Sequence, residues 1–263
     1  MIRKMESMIE VSKSGIVPFC RRNALGVKAL GPVLAYGTNF PIVQTFAQRN
    51  ENEELTAVIV RFQDNVVICS AESMEEDLVL EIREFLDYVG YASILADPSL
   101  FGTEPTGLIM TWDSEADCRL KRAVPEPAFI VNKELREIYD LLALSNPGYF
   151  MPDYSAWYND INFRIWHQSA GSILIRDQGK PVASAMALTS MQAEIFIGAV
   201  AADPSERGKH FASEALYRLV EQYPNHKYFL FCLPDMQAFY EHLGMRVCGA
   251  FSELNEQGQP SFR

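Results

Sequence analysis

Basic residues are scarce in this chain: 23 Lys and Arg stand against 34 Asp and Glu, a formal net charge of −11 over 263 residues. A surface of that sign repels phosphate backbones and anionic lipid heads, so partners chosen by net charge are neither nucleic acids nor membranes. It suits a cationic acceptor such as an amine or a lysine side chain, besides keeping a protein in solution. Cysteine is also sparse. Cys20, Cys69, Cys118, Cys232 and Cys248 are odd in number and without CxxC spacing, which argues against a disulfide framework and against a zinc site. Cys69 and Cys232 lie inside apolar strand-like runs, where a free thiol serves as a small core residue. His167, His210, His226 and His242 have no metal-ligand spacing to acidic or cysteine partners, so no metal is expected. No window approaches the roughly 18 consecutive apolar residues of a membrane span. The opening MIRKMESMIEVSK lacks a secretory apolar stretch, so a cytoplasmic protein is expected.

What is present reads as two α/β halves. The length exceeds the roughly 100–200 residues of one domain. Thr56 to Phe62 and Val66 to Ser70 form β-branched runs around Gln63-Asp64-Asn65, a hairpin pattern. A helix near Met74 to Val89 places Leu78, Ile82, Phe85, Leu86 and Val89 on one face, behind the acidic turn Glu75-Glu76-Asp77. Gly90 stops it, and strands are expected at Tyr91 to Ala96 and Gly107 to Trp112. The polar stretch Asp113 to Pro127 reads as the linker, giving domains 1–120 and 121–263.

The second half reads as a strand at Ala128 to Val131 and a helix carrying Leu135, Ile138, Leu141 and Leu142. Asn146-Pro147-Gly148 breaks that helix, and an aromatic-rich stretch runs from Tyr149 to Trp166. Strands come at Ser172 to Arg176 and Val182 to Leu188, then the buried run Ala193 to Ala202. Next come a helix from Lys209 to Gln222, a strand at Tyr228 to Leu233, a helix at Asp235 to Leu243 and a strand at Arg246 to Phe251. The first half repeats part of this hairpin-helix-strand order, which raises a duplicated, smaller and degenerate N-terminal domain as an expectation.

The informative segment is Ala201 to Leu216, AADPSERGKHFASEAL. A long strand ends at Asp203-Pro204, and a loop with Arg207 and Gly208 leads straight into a helix. The first turn of such a helix offers unpaired N–H groups and partial positive charge, which suits a pyrophosphate. Arg207 and Lys209 can neutralise its charge. The same pattern also fits an ordinary strand-loop-helix.

Arg207-Gly208-Lys209-His210-Phe211-Ala212 resembles the acetyl-CoA loop, Arg/Gln-x-x-Gly-x-Gly/Ala, of the GCN5-related N-acetyltransferase (GNAT) superfamily, with His210 where the family has glycine. AEIFIGAVAADP is similar to the family's bulged fourth strand. Ala238-Phe239-Tyr240-Glu241-His242-Leu243-Gly244-Met245 resembles its A-x-Y-x-x-x-G-F signature, with Met245 for phenylalanine; Leu233 stands where an asparagine is often found. The resemblance implies an α/β (α+β) fold, a mixed central sheet flanked by helices. It implies acetyl-CoA bound by Gly198, Ala199 and Val200 and by Arg207, Gly208, Lys209, His210, Phe211, Ala212 and Ser213. Glu194, thirteen residues before Arg207, becomes the expected general base for an amine nucleophile, or else a strand-end carboxylate. Tyr240 becomes the expected proton donor to the leaving thiolate, or else a core aromatic.

Tyr149, Phe150, Tyr154, Trp157, Tyr158 and Trp166 fall where family members build an acceptor pocket, and Asp153 or Asp160 could hold a cation against such rings. Core packing is the other reading of that group. The activity implied is transfer of an acetyl group from acetyl-CoA to a small-molecule or peptide amine. The alternatives are a non-catalytic acyl-CoA-binding or regulatory module, and an enzyme using another acyl donor such as aminoacyl-tRNA, which the −11 charge disfavours.

Overall fold

The computed structural model describes residues 1–113, 128–145 and 151–259. The linker expected up to Pro127, the break at Asn146-Pro147-Gly148, and the aromatics Tyr149 and Phe150 lie outside the described residues. In chain order the elements are β1 (Ile2–Lys4), α1 (Met8–Lys13), α2 (Ile16–Cys20), α3 (Ala24–Tyr36), β2 (Val43–Arg49), β3 (Leu55–Phe62), β4 (Asn65–Ser70), α4 (Glu76–Val89), β5 (Ser93–Ala96), α5 (Pro98–Phe101) and β6 (Gly107–Trp112). The second series is β7 (Ala128–Val131), α6 (Leu135–Ser145), α7 (Tyr154–Trp166), β8 (Gly171–Asp177), β9 (Lys180–Ser190), β10 (Glu194–Ala202), α8 (Phe211–Gln222), β11 (Lys227–Cys232), α9 (Gln237–His242) and β12 (Arg246–Asn255). Both series run strand, helices, three strands, helix, strand, short helix, strand. The repetition hinted at by the first hairpin is therefore carried through the whole order of elements.

The chain forms two compact units, Met1–Ile109 with Gly249–Arg263, and Met110–Cys248. The sequence reading placed its boundary at 120/121. The two divisions differ because the last strand of each series contributes to the other unit. In unit 1, β1 to β4 pair antiparallel in succession, β5 joins β4 in parallel, and the end of β12 pairs with β5 from Ser252↔Ala96 to Asn255↔Ser93. That strand end is fastened by a hydrogen bond from Thr103 Oγ1 to Ser252 Oγ (2.9 Å) and by Glu253 N donating to Thr106 Oγ1 (2.9 Å). The amphipathic α4 buries Ile82 and Leu86 against Phe46, Ile59, Ile68 and Ile94 of this sheet.

Unit 2 has the strand order β6-β11-β10-β9-β8-β7. β7, β8, β9 and β10 are antiparallel, whereas β10 and β11 are parallel. Leu135, Ile138, Leu141 and Leu142 of α6 and Ile161 of α7 cover Leu174, Met186 and Ala201 on one face. The end of β6 is a structural part of this unit. Thr111 Oγ1 donates to the Tyr228 carbonyl (2.9 Å), and the buried Trp112 donates from Nε1 to the Leu243 carbonyl (3.2 Å). Asp113 then binds Lys227 (3.2 Å) and Arg246, and these cations, Arg246 first, hold its carboxyl below the usual range.

A fragment cut at residue 121 would keep β7 to β12 and lose Met110 and Trp112, both essentially buried. Deleting one large core side chain costs about 3–5 kcal/mol, a large share of a domain's roughly 5–15 kcal/mol. Residues 121–263 alone should therefore unfold without a cooperative transition in urea, while the full chain unfolds cooperatively. A sharp, full-amplitude transition in the fragment would show that the end of β6 is dispensable.

Candidate active site

The site is built where β10 stops being a regular strand. Opposite β9, Gly198 faces Met186 but Ala201 faces Ser184, so β10 carries one extra residue in that interval. Such a bulge bends the strand and interrupts its ladder. Ala199 sits there with φ of 51°, a left-handed conformation that costs a residue with a Cβ roughly 1–2 kcal/mol. Two contacts stabilise it. Ser184 Oγ donates to the Ala199 carbonyl (3.3 Å), and Leu188 lies so close to Gly198 that a Cβ there would stand 2.3 Å from Leu188 Cδ1.

On the other side, β10 pairs with β11 from Glu194↔Lys227 to Ile197↔Leu230, while β10 itself runs on to Ala202 and β11 to Cys232. Gly198, Ala199 and Val200 are half-buried in this continuation, between buried Ile197 and Ala201. The sheet thus offers backbone groups beside an opening between its two parallel strands.

After β10 the chain makes a tight turn. Asp203 accepts hydrogen bonds from Ser205 N (2.8 Å) and Ser205 Oγ (2.7 Å), and Lys180 from the start of β9 reaches its other oxygen at 2.6 Å. The hydrogen bond from Lys180 leads in lowering the Asp203 carboxyl to about 2. Arg207 donates to the Ser145 carbonyl at the end of α6 (3.3 Å). Gly208, Lys209 and His210 are exposed, whereas Phe211 and Ser213 are buried and Ala212 is half-buried.

His210 is the N-cap of α8, with φ of 63° and no side-chain capping bond. The backbone therefore adopts the conformation a glycine would at this position, and the helix start is left without a side chain competing for its N–H groups. The residues present fit a pyrophosphate, with one reservation of charge. Lys209 is already ion-paired with Glu206.

Glu194 and Tyr240 are placed differently. Glu194 is the first residue of β10, only 8% exposed, at the end of the strand away from the bulge. Four residues of strand separate it from Gly198, about 13 Å at 3.3 Å per residue. Tyr240 on α9 is 6% exposed and packs edge-on against Phe239 with ring centroids 5.0 Å apart. Burial, and secondarily Cys232 at the end of β11, pushes its hydroxyl well above the ordinary tyrosine value, so it remains a donor throughout the neutral range. Met245 replaces the motif phenylalanine, is buried, and donates from its N–H to the Tyr240 carbonyl (3.0 Å).

Among the described residues, the acidic and aromatic members of the aromatic group already have partners within the chain. Asp153 caps α7 by accepting from Ser155 N (2.8 Å), and Asp160 pairs with Arg164 at 2.7 Å. The face of Tyr154 is occupied by the chain's own Arg136 guanidinium, 4.5 Å from the ring centroid. Tyr139 packs against both Tyr154 and Trp157, while Trp166 lies edge-on to His167 and is 79% exposed. Ser184, Leu188, Lys180 and Glu206 shape the bulge and the turn of this candidate site, and the sequence did not single them out. The Asp203-Pro204-Ser205 turn was a legible signal for the last two, because a side-chain-capped turn fixes the direction in which the next residues leave it.

Residues 135–245 match the sequence model of the acetyltransferase (GNAT) family. The strand, loop and helix just described lie inside the matched region. Among solved structures, the chain is similar to a tandem GNAT protein from the clavulanic acid biosynthesis pathway, at 10% identity over 99% of this chain and 100% of that one, with a TM-score of 0.56. A Drosophila protein solved by structural genomics aligns over 96% of both chains at 12% identity and a TM-score of 0.64. A GCN5-related N-acetyltransferase from Sphaerobacter thermophilus aligns over 97% of this chain and 96% of that one, at 10% identity and 0.56. These likenesses establish a shared fold through both halves. No curated protein matches the sequence. Among the described residues no helix is long and apolar enough to cross a membrane.

The Asp203 contacts give a pH test. A carboxyl lowered from 3.8 to about 2 contributes stability that is full above about pH 4 and is lost as pH falls through about 2. Asp203→Asn should flatten that part of the acid-unfolding curve while leaving its course above pH 5 parallel to wild type. An unchanged acid limb would mean that the Lys180 contact adds nothing to the fold.

Proposed function

We propose that the protein transfers an acetyl group from acetyl-CoA to the amine of a small molecule or peptide, using the site of unit 2. The observation that carries this reading is the bulge at Ala199 joined by the short Asp203–His210 turn and loop to an uncapped helix start, inside the family-matched region. Backbone groups of Gly198, Ala199 and Val200 would hold the extended pantetheine arm. The N–H groups of Gly208 through Ser213 would hold the pyrophosphate, assisted by Arg207 and Lys209.

The acceptor nitrogen then attacks the thioester carbonyl, an N–C bond forms, the C–S bond breaks, and the amine's proton is lost as the thiolate gains one. At about 13 Å along the strand, Glu194 accepts that proton through intervening water. Tyr240 is a hydrogen-bond donor to the sulfur as its charge develops. A phenol, ordinarily near 10, is a weaker acid than a thiol near 8.5, and burial here weakens it further. Its contribution is greatest while the C–S bond is breaking.

The non-catalytic acyl-CoA-binding module remains the second reading, favoured by the pairing of Lys209 with Glu206 and by the depth at which Tyr240 is buried. Release of free thiol from acetyl-CoA with a panel of amines separates the two, since a binding module shows none.

We expect one donor site per chain. In unit 1, β4 pairs with β3 without a register shift, and α4 opens with Glu76 and Asp77 in its first turn. Calorimetry with acetyl-CoA should give a stoichiometry near one; a value near two would assign unit 1 a site of its own. Tyr240→Phe should leave acetyl-CoA affinity within about twofold and lower kcat about 10²-fold. Normal turnover in a folded Tyr240→Phe protein would make Tyr240 a packing residue only. Glu194→Gln should lose activity most at low pH and recover in part as pH rises and the free amine deprotonates unaided.

A further inference from the structure

Glu206 has a side chain that the proposed reaction leaves without a role. It ends the short turn Pro204–Glu206, immediately ahead of Arg207, and is partly buried, with 19% of its side chain exposed. One carboxylate oxygen accepts a hydrogen bond from Lys209 Nζ, and the other lies 4.0 Å from Lys180 Nζ. Lys180 in turn is fixed by Asp203 at 2.6 Å, and Arg207 by the Ser145 carbonyl. Two cations and two carboxylates therefore alternate, from Lys209 through Glu206 and Lys180 to Asp203, with Arg207 held apart on a backbone carbonyl. The acidic member nearest the helix start takes up the lysine that would otherwise meet a phosphate. Donation to the Glu206 carboxylate is the main cause that raises the Lys209 ammonium above its ordinary value, so the lysine is charged and engaged.

We propose that Glu206 is an internal competitor for the donor's phosphates: its carboxylate occupies Lys209, and partly Lys180, until a polyanion displaces it. This rests on the proposed acetyl-CoA site and deepens it. The consequence is discrimination among acyl donors by charge. A donor carrying a pyrophosphate can recover Lys209 by displacing one carboxylate, while Lys180 stays on Asp203. An acyl-pantetheine without phosphates cannot, and meets a loop already neutralised. Glu206 also stops the exposed loop from collecting small anions, since a single weak anion offers the lysines less than the tethered carboxylate does.

The test is calorimetric titration of the full-length protein with acetyl-CoA and, separately, with inorganic pyrophosphate, for wild type, Glu206→Gln, Lys209→Gln and the double variant. Glu206→Gln removes one negative charge a few ångströms from the lysines and should tighten acetyl-CoA binding about tenfold. Pyrophosphate should tighten by a similar factor, and the salt dependence of binding should steepen because an additional lysine is free to meet the anion. In the Lys209→Gln background the same Glu206 substitution should have a clearly smaller effect, since the main cation it masks is gone. Weaker or unchanged acetyl-CoA binding in Glu206→Gln, with wild type binding normally, overturns the competitor role and leaves the site assignment standing. Failure of acetyl-CoA to bind either wild type or Glu206→Gln overturns the site assignment and this inference together.

Discussion

The left-handed turn of Ala199 is the constraint on which the proposed donor site depends. A strand paired on both sides offers no free backbone, and a parallel pair in register has no gap between its strands. One extra residue in β10, held by the Ser184 hydroxyl and accommodated by the bare Cα of Gly198 under Leu188, removes both obstacles at once. The strain of about 1–2 kcal/mol at Ala199 is small against the burial of Ile195, Ile197 and Ala201 along the same strand, each of which anchors β10 in the core. Loss of strain at this point would restore a better sheet and a poorer site.

The same logic extends to the loop beyond the strand. Asp203, Ser205 and Lys180 fix the turn, and Arg207 is tied to the end of α6, so the first turn of α8 is presented by a frame set before any ligand arrives. Preorganised donors stabilise developing or bound charge without reorganising at the moment they are needed. His210 fits this frame because the frame constrains its backbone and leaves its side chain outside. Its positive φ supplies the turn that glycine would supply more cheaply, and its ring stays exposed.

Much of the fold was legible in the sequence, and the parts that were not have a physical reason in each case. The hairpin of β3 and β4 and the helix α4 were readable because each is buried on one face only, leaving a period of two or 3.6 in the residues. The helix α3 was not read: it buries all of its 13 residues except Lys28, Leu34 and Tyr36, and a helix enclosed on every side shows no apolar stripe. The helix α7 was hidden by its aromatics, which alone do not distinguish a helix from a pocket lining. The site was legible as far as the backbone signature of loop and helix reached. Lys180 and Ser184 were beyond it, because their relation to β10 exists only across a strand pair. The exchange of final strands was equally unreadable, since nothing local in β6 or β12 records which sheet will receive it.

Two halves with one order of elements need not do the same work, and the difference between them lies in a few backbone positions. β4 matches β10 in place and in parallel pairing to the next strand, yet its ladder with β3 runs from Ala57↔Ser70 to Phe62↔Asn65 without a shift. Its backbone is thus committed to the sheet on that side, and the helix after it begins with Glu76 and Asp77, charges that stabilise a helix start and repel a phosphate there. Those carboxylates serve folding in unit 1 by occupying the positive end of α4. In unit 2 the equivalent position of α8 holds Phe211 and Ala212, which leave that end open. A helix start that carries its own negative charge gains stability from the helix dipole. One with Phe211 and Ala212 at its first positions keeps its capacity to bind, because the acidic residue of its first turn, Glu214, is fully buried and paired with Arg218 at 2.9 Å.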